Sequence, residues 1–165
     1  MADWPEPVER VSRFLAAAGA EARLEEFPGG TPTAQDAASA VGSELGQIVK
    51  SLVFQCDGRP VVVMVPGDRR ADAGKVAAAV GAERARVARP AEVEAATGFE
   101  PGAVAPFPLT RVDRVLIDRS LLAHELVWVG AGSTRHMAGL APEELVRLAR
   151  AQPTDAVEDG GARSQ

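Results

Sequence analysis

The apolar positions of this chain change spacing several times, and each change marks an element. Val8, Val11, Phe14, Leu15 and Ala18 recur at three and four residues, one face of a helix, and Gly19 offers a left-handed stop. A short strand is predicted near Arg23–Phe27, before Pro28-Gly29-Gly30 breaks the chain. Thr33 with Asp36 three residues on is a capping-box pattern for a short helix ending near Gly42. Two apolar runs, Ile48–Cys56 and Val61–Val65, flank Asp57-Gly58 and predict an antiparallel hairpin. Asp72 caps a helix through Lys75, Val76, Ala79 and Val80 that ends at Gly81, and a brief strand follows near Arg86–Ala88. Pro90 opens a helix that ends at Gly98. Phe99–Leu109 holds three prolines and a glycine, which excludes helix and inner strand and leaves a loop long enough to bind something. Strands near Arg114–Ile117 and Leu126–Val129, a Gly130-Ala131-Gly132-Ser133 turn, a strand near Arg135–Ala138 and a Pro142-led helix complete the pattern. Residues 1–150 read as one domain and the polar 151–165 as a frayed tail.

Composition narrows the class. A chain of 165 residues, 46% apolar and 25% charged, suits one globular domain. Aromatics are only 4% and tyrosine is missing, so Ala, Val and Leu must build the core. The single cysteine, Cys56, excludes an intramolecular disulfide and reads as a small buried hydrophobe in a reducing cytoplasm. No apolar stretch approaches the roughly 20 residues that span a bilayer, and the acidic start is unlike a signal peptide, so a soluble cytoplasmic protein is expected. One Cys and two isolated His do not make a zinc site, and neither a nucleophile elbow nor Ser-His-Asp spacing is present. No metal and no cofactor are expected.

Net charge is −5, which argues against a general nucleic-acid coat, and no DNA partner is expected. The charge is uneven, however. Residues 1–46 carry three Arg against eight Asp/Glu. Residues 68–89 carry six Arg/Lys, including Arg69, Arg70 and Lys75, against three Asp/Glu, enough to hold a few phosphates.

One residue breaks the hairpin's apolar pattern. Strand parity puts Lys50 with Ile48, Leu52, Phe54 and Cys56 on the more apolar face. An ammonium there costs several kcal/mol unless it snorkels out, pairs with a carboxylate or opens into a cleft. The proline-bearing loop supplies a complement. Gly102 permits unusual backbone geometry, Ala103, Val104 and Ala105 are small enough to leave N–H groups accessible, and Pro106 stiffens the exit. Consecutive N–H groups aimed at one point hold a carbonyl oxygen or an oxyanion. Gly132-Ser133, with His136 following, is a second small-residue loop carrying polar groups.

Together these segments resemble the YbaK family, free-standing relatives of the editing domain inserted in bacterial prolyl-tRNA synthetase. The resemblance lies in residues 45–54 around Lys50, 65–70 (Val-Pro-Gly-Asp-Arg-Arg), 97–107 around Gly102 and Pro106, and Ala131-Gly132-Ser133. It covers roughly residues 30–150. It implies a single compact α/β (α+β) domain with a mixed, partly barrel-like sheet and flanking helices. It also implies hydrolysis of mischarged aminoacyl-tRNA in trans, after a synthetase has released the product. By the resemblance Lys50 is the functional lysine and Gly102–Pro106 cradles the aminoacyl carbonyl. Ser133 becomes a polar pocket residue, and His136 a pocket-wall residue.

The ester is already activated, so orientation and oxyanion stabilisation matter more than a strong nucleophile. The expected arrangement has Lys50, as a cation, holding the ester end or terminal phosphate while loop N–H groups take the oxyanion. Water, or a group of the substrate itself, attacks; a neutral Lys50 acting as base ranks second. Partners are then the acceptor end of tRNA, met by Arg69, Arg70 and Lys75, and a delivering synthetase. A non-catalytic binding module of the same fold and an interaction protein working through the acidic N-terminal helix are the competing classes.

Overall fold

In the computed structural model, residues 4–159 are described. Helix α1 (Glu6–Ala17) leads into β1 (Ala22–Glu26), α2 (Ala34–Val41) and, after a 3-10 turn at Leu45–Gln47, the hairpin β2 (Val49–Cys56) and β3 (Arg59–Pro66). Next come α3 (Ala73–Ala79), β4 (Ala85–Val87), α4 (Pro90–Thr97), β5 (Arg114–Asp118) and a second 3-10 turn at Arg119–Ala123. The chain continues through β6 (Val127–Ser133), β7 (His136–Leu140), α5 (Pro142–Ala149) and β8 (Gln152–Thr154).

Local chemistry sets the boundaries. The Thr33 hydroxyl accepts the Asp36 N–H at 3.0 Å and opens α2, while Asp72 accepts the Lys75 N–H at 3.0 Å and opens α3. Asp57 and Gly58 both sit at positive φ, which closes the β2–β3 hairpin in the register Val53↔Val62. Strand order is β4-β2-β3-β5-β8 in one sheet and β1-β7-β6 in the other, so the fold is the mixed α/β domain expected. β3–β5 and β5–β8 are parallel, and the other pairs are antiparallel. A parallel bridge, Ile48↔Trp128, joins the two sheets just before β2.

Both faces of the larger sheet are buried. On one, Val49, Val53, Val62, Met64 and Ile117 pack with α1, α5 and the smaller sheet's Val127, Val129 and Leu140. On the other, Phe54, Cys56, Val61, Val63 and Val65 pack under Val76 of α3 and Val80 at its C-terminal cap. Each buried valine contributes about 1.5–3 kcal/mol, so the small aliphatic residues supply the core that scarce aromatics do not. A third cluster seats Ala37 and Ala38 of α2 on Ile48, Trp128 and Met137. Lys50 lies on the Phe54/Cys56 face, as strand parity predicts, but the opposite face is buried as well, because α1, α5 and the smaller sheet cover one side of β2 and α3 the other.

Two further expectations fail. Gly130–Ser133 is not a turn but the end of β6, with a bulge between Gly130 and Ser133; Thr134-Arg135 makes the reversal. The segment 151–159 is not frayed either. β8 pairs with β5, and Ala156 and Val157 are buried in the second cluster, because β5 otherwise has an open edge and α3 an uncovered flank. Residues 160–165 of the expected tail lie outside the described residues.

Candidate active site

The site follows from an incomplete strand pairing. β4 pairs only with Phe54–Cys56, so among the described residues Lys50–Leu52 have β3 on one side and no strand on the other. Ala88 N–H donates to the Val53 carbonyl at 2.9 Å, which fixes the direction of that carbonyl. By the alternation of an antiparallel strand, the Ser51 backbone N–H and C=O point the same way, onto the bare edge. A cavity of about 280 Å³ opens there, straddling the edge, so Lys50 and Ser51 both line it from opposite faces of the strand.

The proline-bearing loop meets the cavity from across the fold. Gly102, at φ +83, and Val104 line it together with Lys50, although more than fifty residues of chain separate them. Close packing seats the loop. The Val104 carbonyl oxygen lies 2.9 Å from where a Cβ on Gly130 would stand, so only glycine lets β6 pass beneath. Arg10 of α1 pins the loop's start, donating to the Gly98 carbonyl at 2.8 Å and lying 4.4 Å over the Phe99 ring. Not every expected donor is available. The Ala103 N–H is spent on the Glu100 carbonyl at 2.9 Å, while no described residue's carbonyl takes the N–H of Gly102 or Val104. Ala105 is buried in the core, and Pro106 borders a different hollow beside Phe14 and Ala18.

Lys50 is half-buried, and its ammonium donates to the Arg69 carbonyl at 2.8 Å. Burial lowers its pKa, the Arg70 charge lowers it further, and Asp68 opposes both. On the facing wall, His136 is 2% exposed and its Nδ1 lies 2.6 Å from Ser133 Oγ, which also accepts the Arg135 N–H at 2.9 Å. The Trp4 indole packs edge-on against the imidazole at 5.1 Å. Burial, reinforced by Arg135 and opposed by Glu26 at 4.0 Å, lowers the imidazole pKa and holds it neutral. Both Ser133 and His136 line the cavity; Gly132 sits in the bulge behind them, against Pro7.

Two buried polar atoms of cavity-lining residues have no hydrogen-bond partner among the described residues: Ser51 Oγ and His136 Nε2. Such groups cost about 1–3 kcal/mol each when left unpaired. Ser51 was missed in the sequence, as were Thr31, Thr33, Thr134 and Met137 on the rim and wall. A second polar residue beside Lys50 in an apolar strand was the available signal.

The expected RNA-facing cations lie apart from the cavity wall. The Arg69 guanidinium donates to the Glu158 carbonyl at 2.7 Å, and exposed Arg70 stands 3.9 Å from the Glu158 carboxylate. Lys75 donates to Asp155, Val157 and Asp159.

The fold agrees with comparisons to known proteins. The model of the aminoacyl-tRNA editing domain matches residues 29–148. The chain belongs to that family, and with it to the ester hydrolases that deacylate aminoacyl-tRNA. It is 36% identical over 123 residues to YwhH of Bacillus subtilis, a protein of uncharacterised role, covering 74% of this chain and 78% of that one. It is 37% identical over 103 residues to the proline–tRNA ligase of Nitratidesulfovibrio vulgaris, covering 62% of this chain and only 18% of the ligase. A crystal structure described provisionally as a trans-editing enzyme for prolyl-tRNA synthetase superposes with a TM-score of 0.88 at 37% identity, covering 94% of this chain and 99% of that one. Among the described residues no helix is long and apolar enough to cross a membrane.

Proposed function

We propose that the chain edits in trans: it hydrolyses the ester of a mischarged aminoacyl-tRNA after a synthetase has released it. The observation that carries the reading is the shared cavity, lined by Lys50, Gly102 and Val104. The Arg69 carbonyl takes one N–H of the Lys50 ammonium, leaving two for the ester end or terminal phosphate of the substrate. Water attacks the acyl carbon; the carbonyl electrons move onto oxygen, where the Gly102 and Val104 N–H groups receive the charge. As the intermediate collapses, the acyl–oxygen bond breaks. The ribose oxygen takes a proton, and free amino acid and intact tRNA leave.

A space of about 280 Å³ walled by Ala37, Ile48, Val104 and Gly130 suits a small aminoacyl group, with the acceptor end of the tRNA outside. The solved relative's description supports a link to prolyl-tRNA synthetase, and Arg69 and Arg70, on the turn that carries the Lys50 acceptor, are the cations for phosphate contact.

The test is deacylation of Ala-, Ser-, Cys- and Pro-charged tRNA by wild type and Lys50→Ala. On the best substrate Lys50→Ala is expected to lose at least about 10²–10³ in rate, the usual cost of one oxyanion donor. Wild-type turnover in that variant refutes the assignment. A wild-type chain that binds every charged tRNA and leaves all the esters intact refutes the reaction.

A further inference from the structure

The family match stops at residue 148, but the chain beyond it returns to the site. After β8, residues 155–159 cross to the turn that follows β3. Ala156 N–H donates to the buried Asp118 carboxylate at 2.8 Å, and the Ala156 carbonyl accepts the Asp72 N–H at 2.8 Å. Val157 bridges Ala71. Glu158 then holds the arginine pair by its main chain: its N–H donates to the Arg70 carbonyl at 2.8 Å, and its carbonyl accepts the Arg69 guanidinium at 2.7 Å.

Lys75 of α3 fastens this segment from beneath. Its ammonium donates to Asp155 Oδ2 at 2.9 Å, the Val157 carbonyl at 2.8 Å and Asp159 Oδ1 at 2.6 Å. Those three bonds use all three of its N–H groups, so Lys75 has none to offer a phosphate. The turn held in this way carries the Arg69 carbonyl, the acceptor 2.8 Å from Lys50 Nζ.

We propose that residues 155–159 form a strap that positions Lys50, with Lys75 as its fastening. The inference rests on the reading above, in which Lys50 grips the aminoacyl end. A lysine stem has four rotatable bonds, so its ammonium goes where its acceptor is. A turn on the surface, tied only to its own neighbours, would let that acceptor wander. The strap ties it to Asp118 and α3 instead, which makes Lys75 a positioning residue that acts without touching substrate.

Lys75→Met removes the ammonium and keeps the stem. Its kcat is expected to fall by about 10- to 100-fold, the cost of a misplaced reacting group, with KM for charged tRNA within about twofold of wild type. The ε-methylene NMR signal of Lys50, identified by its loss in Lys50→Ala, should move. Lys50→Ala combined with Lys75→Met should be no slower than Lys50→Ala alone, because both changes act through one group. The exposed pair Asp155→Asn and Asp159→Asn should repeat the pattern, and thermal melting of each variant separates it from loss of fold.

Three results overturn the strap: unchanged kcat in Lys75→Met, a raised KM with unchanged kcat and a shallower salt dependence (a direct phosphate contact), or an additive loss in the double variant. Failure of the lysine assignment is distinct, since it is read on Lys50→Ala alone. An inactive Lys50→Ala beside a fully active Lys75→Met sinks only the strap.

Discussion

Gly130→Ala adds one methyl group where β6 passes under the loop that faces Lys50. The new Cβ would stand 2.9 Å from the Val104 carbonyl oxygen, a main-chain atom that no rotamer change can move aside. To reach ordinary contact at 3.4 Å, loop and strand must separate by about 0.5 Å. Overpacking of this kind costs about 1–3 kcal/mol in stability. The displacement falls on Val104, which lines the cavity and whose N–H is proposed to receive the oxyanion. If a 1 Å misplacement costs about 10²-fold, half of that predicts about a tenfold loss of kcat. Single-turnover deacylation separates this from weaker binding, and denaturant unfolding gives the stability loss. Val61→Ala, in the cluster under α3 at the far end of β3, is the matched control: it should lower stability and leave kcat near wild type. If Gly130→Ala is destabilised by the expected amount yet turns over at wild-type rate, the Gly102–Val104 backbone is not where the oxyanion is received.

Two further predictions concern titration. His136 is held neutral by burial, so its folded pKa lies below the ordinary value near 6.5, and on acidification the unfolded chain takes the proton first. Its contribution to stability is therefore complete above pH 6.5 and is lost as pH falls through that value towards the folded pKa. Urea unfolding of wild type and His136→Asn between pH 8 and about 5 should reveal a decline that the variant partly lacks; parallel curves refute it. Glu92 accepts from Arg86 and from the Arg89 N–H, which lowers its carboxyl pKa to about 2. Its NMR titration should have a midpoint near that value and move up in Arg86→Ala; an ordinary carboxylate midpoint in wild type would mean the bidentate pair is not formed in solution.

Much of the fold was legible because local signals agreed with global ones. The β2–β3 hairpin is written in two apolar runs around Asp57-Gly58, and both of those residues take the positive φ the turn requires. Thr33, Asp72 and Pro90 open their helices where the pattern put them. Gly130–Ser133 misled because glycine-rich composition reads as a turn, whereas here it lets β6 pass close to Val104. The strap misled for a different reason. Asp155, Glu158 and Asp159 look like a solvated tail until a lysine eighty or more residues away in sequence is brought beneath two of them. Of the candidate site, Lys50, Gly102, Val104, Ser133 and His136 were named from the sequence and do line one cavity. Ser51 and the threonine rim were not, because the bare edge of β2 depends on where the three-residue strand β4 stops, and no pattern within β2 records that.

That short β4 has an evolutionary consequence. Where recognition is done by peptide groups of an uncovered strand and a loop, no side-chain exchange short of proline deletes the donors; it only reshapes the space around them. Exchanges at Thr31, Ala37 or Met137 would alter which acyl group fits while leaving the reacting end untouched. A lineage built on this plan can therefore diversify its substrates by resizing wall residues alone.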